Sequence, residues 1–268
     1  KSQAAIWTDA MIRFKKEGFK PKRTVKLALT CGEESVGAFN GAEWLAKNKP
    51  ELIAAEFALN EGGGGRLDAS GKKLLLAMQV GEKTVQNYLL ETTNPGGHSS
   101  VPRPDNAIYS LTAAVTKVGQ YEFPIQFSDT TRTFFKRTAE LTGGEMGKAL
   151  TAVLANPEDK AADAIVSKDA AFHSMLRTTC VATMLDAGHA MNALPQRARA
   201  VVNCRVFPGV SVDTVKAELD RIIGDPSVSI TKIEPIRPMA VPPPLSPKVF
   251  GPAEKLAAKH FPGVPMIP

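Results

Sequence analysis

The chain has 268 residues, 43% hydrophobic and 22% charged, with a formal net charge of +6. Those values fit one or two folded domains and exclude a disordered or fibrous chain. No run approaches the roughly 18 apolar residues of a membrane span, and the densest basic cluster, Lys15-Lys16 to Arg23, is interrupted by Gly18 and Pro21, so neither a membrane nor a nucleic acid is an expected partner.

Taken in order, Ala4, Trp7, Met11 and Phe14 recur at helical spacing and predict an amphipathic helix over 3–17. Gly18 and Pro21 end it. The alternating run Val25-Lys26-Leu27-Ala28-Leu29 predicts a strand over 25–30 that leads into Thr30-Cys31-Gly32-Glu33-Glu34. Residues 38–47 read as a helix stopped by Asn48 and Pro50. Phe57-Ala58-Leu59 predicts a strand over 56–59 that leads into Asn60-Glu61-Gly62-Gly63. This alternation predicts an α/β domain with a largely parallel sheet.

From residue 82 the pattern changes. Residues 84–92 are β-prone. Asp105 is placed to cap a helix whose stripe is Ile108, Leu111, Val115 and Val118. Residues 177–185 and 197–207 read as strands. Ser211 is placed to cap a second stripe of Val212, Val215, Leu219 and Ile222, and 228–233 is a last strand. The order is that of an α+β, ferredoxin-like unit. It carries an insertion over 119–176, expected to be helical around 146–154 and 161–165.

Residues 235–247 hold six of the 20 prolines and read as an extended linker, after which 248–259 resumes as a helix. The expected division is therefore 1–81 for the first part of an α/β domain and 82–236 for an inserted unit. Residues 237–268 are the linker and the return.

The three cysteines, Cys31, Cys180 and Cys204, form no Cys-x-x-Cys pair and no disulfide framework. Cys31 and Cys204 fall in strand-like runs, where buried free thiols are expected. The compartment stays open between cytoplasm and periplasm.

The two acidic motifs carry the chemistry. Carboxylates at the ends of buried strands are costly unless a cation compensates them, and strand ends are where open α/β sheets bind ligands. Amide hydrolysis needs an activated water, a base for its proton and a positive group for the oxyanion. Adjacent glutamates on a turn point differently, so one can hold a metal while its neighbour reaches the water.

Cys31-Gly32-Glu33-Glu34, then Asn60-Glu61-Gly62-Gly63, then Gly97-His98-Ser99-Ser100 resemble the co-catalytic zinc exopeptidases typified by aminoacylase, carboxypeptidase G and succinyl-diaminopimelate desuccinylase. The resemblance covers essentially the whole chain. It implies a zinc-binding α/β domain with an inserted lid that dimerises. Two zinc ions per subunit and a peptide or N-acyl amino acid substrate follow from the same resemblance.

It also implies roles. Glu33 matches the general base, Glu34 a ligand to one zinc and Glu61 a ligand to the other. His98 matches a lid histidine that reaches the partner subunit's active site and steadies the oxyanion. Asn192, in Asn192-Ala193-Leu194-Pro195, and Arg205, in Cys204-Arg205-Val206-Phe207-Pro208, match residues that grip the substrate, commonly its carboxylate.

The family pattern further includes an upstream His-x-Asp motif, a bridging aspartate and a histidine near the C-terminus. None is matched in these 268 residues. The expectation is an internal fragment that hydrolyses little by itself. The competing expectation is a non-catalytic dimerisation module of the same descent.

Overall fold

The structure is a computed structural model that describes residues 2–32, 39–242 and 244–268. They gather into two compact units, Lys1–Gly62 and Gly63–Pro268.

In the first unit, α1 (Ser2–Lys16) forms where its periodicity predicts, and Arg13, Lys15 and Lys16 in its last turn suit the helix dipole. None of its residues is buried. Helix α2 (Gly41–Asn48) starts at Asn40, whose side chain accepts a hydrogen bond from the Glu43 amide at 3.0 Å. Pro50 does more than stop α2. It opens a further turn, α3 (Pro50–Ile53), because its fixed φ suits a first helical position.

The strands expected over 25–30 and 56–59 are not formed. A strand needs a neighbouring ladder for its amides and carbonyls, and neither segment has one. Side chains join this region instead. Arg23 pairs with Glu56 at 2.7 Å, and Lys26 Nζ donates to the Glu51 and Ala54 carbonyls at 3.3 and 3.0 Å. Leu29 and Leu59, expected inside, are 62% and 65% exposed.

The second unit opens with a hairpin, β1 (Gly64–Leu67) and β2 (Lys73–Ala77), closed by Asp68, whose carboxylate accepts from the Ser70 and Lys72 amides. Next come β3 (Thr84–Thr93), β4 (Gly97–His98) and α4 (Ala107–Gln120). The insertion is four helices: α5 (Asp129–Thr142), α6 (Gly144–Ala155), α7 (Lys160–Val166) and α8 (Ala170–Leu176). The chain continues through β5 (Thr179–Ala187), β6 (Ala193–Leu194), β7 (Arg197–Val206), α9 (Val212–Ile223) and β8 (Val228–Ile233). It ends with α10 (Pro247–His260) and β9 (Met266–Ile267).

Strands β5, β7, β3 and β8 form one antiparallel sheet in that order. Numbered along the chain this is second, third, first, fourth, the ferredoxin-like order. Burial alternates along β3 and β7, so one face is core and the other open. Leu111 and Val118 of α4 and Val215, Leu219 and Ile223 of α9 pack on Tyr88, Leu90, Val202 and Val206. Ser211 caps α9 as expected. Asn106, not Asp105, caps α4, because Asp105 is held by Arg103 through two contacts of 2.8 and 2.9 Å.

The insertion has its own core, with Phe135, Leu150, Val153, Val166 and Leu176 at its centre. A buried ion pair, Arg177 with Asp163, ties it to the start of β5. A separate three-stranded sheet joins β1, β2 and β9, with β9 parallel to β2. Among the described residues no helix is long and apolar enough to cross a membrane.

Candidate functional site

Glu33 and Glu34 lie outside the described residues. The backbone just before them is described, and it explains the glycine of that motif. Gly32 has a φ of +77°, and a Cβ there would sit 1.7 Å from the Phe39 carbonyl oxygen, so only glycine fits. The second motif repeats the logic. Gly63 has a φ of +75°, and a Cβ would meet the Ala77 carbonyl oxygen at 2.1 Å.

Glu61 is exposed. Among the described residues no three His, Cys, Asp or Glu side chains converge. Zinc takes three or four protein donors, so the described donors do not by themselves make a zinc site.

His98 and Asn192 are brought together. The two-residue ladder of β4 and β6 sets His98 opposite Ala193, and the Ser99 amide donates to the Asn192 carbonyl at 2.9 Å. The imidazole is oriented locally. Its Nδ1 lies 3.2 Å from the Ser100 amide nitrogen and 2.7 Å from Ser100 Oγ. An amide can only donate, so Nδ1 is the acceptor and the neutral ring carries its proton on Nε2. His98 thus presents an outward donor. Met191 and Val101 beside this pair are among the most exposed apolar side chains of the molecule.

Arg205 is elsewhere. It lies eight residues beyond Arg197 on β7, roughly 27 Å along an extended strand. One chain therefore does not bring it to His98 and Asn192. Alternation alone does not single it out from Arg197 and Arg199, but pairing does. Glu91 pairs with Arg199 and lies 3.6 Å from Arg197, whereas no carboxylate among the described residues pairs with Arg205.

Around Arg205 the open face is cationic. Thr179 of β5 sits directly opposite Arg205, and Lys83 Nζ reaches Thr179 Oγ1 at 3.4 Å. Burial pushes the Lys83 ammonium down to about 8, helped by the charges of Arg205 and Arg177. A cavity of about 350 Å³ opens beside Lys83, between the segment after β2, α5, α8 and the Phe207-Pro208 corner. Sequence reading gave no sign of Lys83 or the cavity, because a lone lysine before a strand carries no pattern.

The thiol expectation is corrected. Cys180 and Cys204, directly opposite in the β5–β7 register, form a disulfide. Cys31 is free but exposed. Two cysteines in adjacent predicted strands were the signal for the bond, and it required knowing that those strands pair antiparallel.

Comparison with known proteins gives the family of the chain. A family model described as a peptidase dimerisation domain matches residues 80–231. A probable carboxypeptidase S-like protein of Dictyostelium discoideum is 30% identical over 260 residues, covering 94% of this chain and 49% of the relative. The human N-fatty-acyl-amino acid synthase/hydrolase PM20D1 is 29% identical over 229 residues, covering 83% of this chain and 44% of that protein. The chain thus spans about half the length of the curated relatives it matches. Among solved structures, an M20 family metallo-carboxypeptidase from Sulfolobus solfataricus superposes with a TM-score of 0.54 at 20% identity, over 88% of this chain and 55% of that one. At that identity the likeness concerns the fold.

Proposed function

The chain belongs to the M20 peptidase family, and from that premise we propose that its protein is a metal-dependent hydrolase cleaving an amide bond next to a free carboxylate. The substrate is a peptide C-terminus, a dipeptide or an N-acyl amino acid. What supports the reading is the position of the residues it assigns to the substrate, His98 and Asn192 at one end of the inserted unit and Arg205 at the other.

Each group has a task. Glu33 takes the proton of the attacking water and returns it to the leaving amine. The Nε2 proton of His98 faces the developing oxyanion. Arg205 holds the free carboxylate bidentately, and Asn192 adds a polar contact. Glu34 and Glu61 would be carboxylate ligands to a metal, proposed as zinc, whose chemistry when bound would be to acidify the attacking water.

One chain cannot set His98 and Arg205 on one substrate at that separation. The reading therefore includes a homodimer in which each active site draws on both subunits. Strand β5 suits the contact. It is an edge of the four-stranded sheet, and Val181, Met184 and Leu185 along it are exposed, as an edge that pairs with a second copy would be. The tip bearing His98 and Asn192, flanked by Met191 and Val101, would then enter the partner's cleft.

The proposed division keeps 1–81 and 237–268 as the metal-binding part and 82–236 as the lid. Parallel pairing of β2 with β9 supports it, because it joins the two flanks across the insertion. Two carboxylates fall short of a zinc ligand set, so these 268 residues alone are expected to hold zinc weakly and hydrolyse little. The protein at its relatives' length should hold roughly two ions, as two-metal hydrolases do.

The test is Glu33→Gln in the protein of full family length. Metal content should stay, and hydrolysis of N-acyl amino acids should fall by at least about 100-fold, the scale of losing a general base. Unchanged turnover, or a protein without metal, would overturn the catalytic reading and leave a dimerisation module.

A further inference from the structure

We infer, resting on the proposed division into lid and metal-binding part, that Arg137 is a positioning residue. It clasps the helical insertion to the returning segment and so sets the angle at which the lid stands over the metal-binding part.

Helix α5 uses two faces. Phe135 and Ala139 are buried in the insertion's own core. Phe134, Arg137 and Leu141, three and four residues apart, form a neighbouring stripe. That stripe meets the segments that flank the lid. Phe134 borders the cavity of about 350 Å³, across from Met78, Val80 and Pro268. Leu141 borders a second cavity of about 390 Å³, across from Ala257, Val264 and Pro265.

Arg137 lies between those two on the helix and makes the bonds. Its Nη1 donates to Glu254 Oε1 of α10 and to the Met266 carbonyl of β9, both at 2.6 Å. Its guanidinium lies 5.4 Å from the centroid of the Phe250 ring, close enough for a cation–π contact. Packed interiors leave few voids larger than a water molecule. A helix docked along its whole length would not leave a cavity beside each end of this stripe, so the contact is a point rather than a face.

A point contact matters because of how the lid is attached. The chain crosses between lid and flanks twice, once over 78–83 and once after the proline-rich linker, whose Ala240 carbonyl still accepts from the Gly209 amide of the lid at 2.8 Å. Two crossings define an axis of rotation, and a third contact away from them fixes the angle about it. Arg137 supplies the third. Met266 belongs to β9, which pairs with β2, so the clasp grips the sheet that joins the two flanks.

The clasp is built to open. The side chains of Arg137 and Glu254 are 33% and 38% exposed, and a pair reached by water contributes little to the fold. Hydrogen bonds to a charged group still suffice to shift an equilibrium between two angles by roughly tenfold. Without them the competent angle becomes a fraction of the population. Apparent affinity for substrate falls by that fraction, while the bound complex is unchanged.

The experiment uses the protein of full family length, with spin-labelled non-natural residues at the exposed positions Thr116 of α4 and Leu256 of α10, diluted with unlabelled protein to isolate distances within one subunit. The native protein should give one narrow distance distribution. Arg137→Ala and Glu254→Ala cut the clasp from opposite sides, and each should broaden it. Arg137→Lys keeps the cation and should restore most of the narrowness. Hydrolysis of N-acyl amino acids gives the second readout, in which Arg137→Ala should raise KM about tenfold and leave kcat unchanged. A broad native distribution, or one equally narrow in both alanine variants, overturns the inference. So does a fall in kcat at unchanged KM, the mark of lost folded protein. The distances need no turnover, so the catalytic reading fails separately, through turnover in Glu33→Gln. A clasp that behaves as described with that turnover unchanged would leave a hinged module without the proposed chemistry.

Discussion

Helices α1 and α4 are nearly equal in length, and both were legible as apolar stripes, yet they end in opposite environments. Helix α4 buries Ala107, Leu111, Ala114 and Val118 against the sheet, whereas α1 buries nothing and shows Ile6, Ile12 and Phe14 to solvent. Spacing at 3.6 residues sets a helix wherever it occurs. Burial needs a second surface with matching shape, and the four-stranded sheet supplies one to α4. The same contrast separates the proposed site. His98 and Asn192 are anchored by a backbone ladder, while Glu61 sits on exposed chain.

The largest effect should come from the buried ion pair of the insertion. The side chains of Arg177 and Asp163 are 2% and 6% exposed. Arg177→Ala would strand a buried carboxylate, at a cost of roughly 3–5 kcal/mol, read as a lower denaturant midpoint. Burial pushes the Asp163 carboxyl up, but hydrogen bonds from Arg177 and Ser167 outweigh it and hold it below the usual range. A depressed carboxyl stabilises above its unfolded pKa of about 3.9 and loses that contribution as pH falls through its folded value. Arg177→Ala should therefore also flatten the loss of stability in acid. A cost under about 1 kcal/mol would mean that the insertion resembles α1 more than α4.

The disulfide comes next. Cys180 and Cys204 close a loop with a sequence separation of 24. Replacing both by alanine should destabilise the four-stranded unit by about 2–4 kcal/mol and leave amide exchange in α1 and α2 unchanged. Loss of protection in both regions together would show that the two units share one cooperative transition.

Legibility followed the same boundary. The ferredoxin-like unit was readable because β3, β5, β7 and β8 alternate or run apolar, and each then found a partner. Residues 25–30 and 56–59 carry similar patterns and found none, since alternation describes a strand's faces and not its neighbours. Helix α5 escaped notice because Thr130, Thr131 and Thr133 dilute its stripe, and it is set by the Ser128–Thr131 capping box and by Phe134 and Phe135. Among the site residues, His98 and Asn192 were visible as motifs, but their adjacency depends on β4 pairing with β6, two residues each. Lys83 acquires its character first from burial and then from Arg205 and Arg177, which the fold brings near it.

The smallest effect makes the finest comparison, because one residue type does one job in both regions. Asn106 caps α4 by accepting from the Ile108 amide, and Asn40 caps α2 by accepting from the Glu43 amide. An asparagine cap replaced by alanine typically costs about 1 kcal/mol. That cost registers globally only if the helix is part of the cooperative fold. Helix α4 lies in the core, so Asn106→Ala should lower global stability by about that amount. Helix α2 has eight residues, of which only Gly41 is buried, and a helix that short is marginal alone. Asn40→Ala should therefore speed exchange of the α2 amides and move the denaturant midpoint by no more than a few tenths of a kcal/mol equivalent. Equal midpoint shifts for the two variants would place α2 within the cooperative fold, and the backbone leading to Glu33 and Glu34 would then be as firmly anchored as the lid.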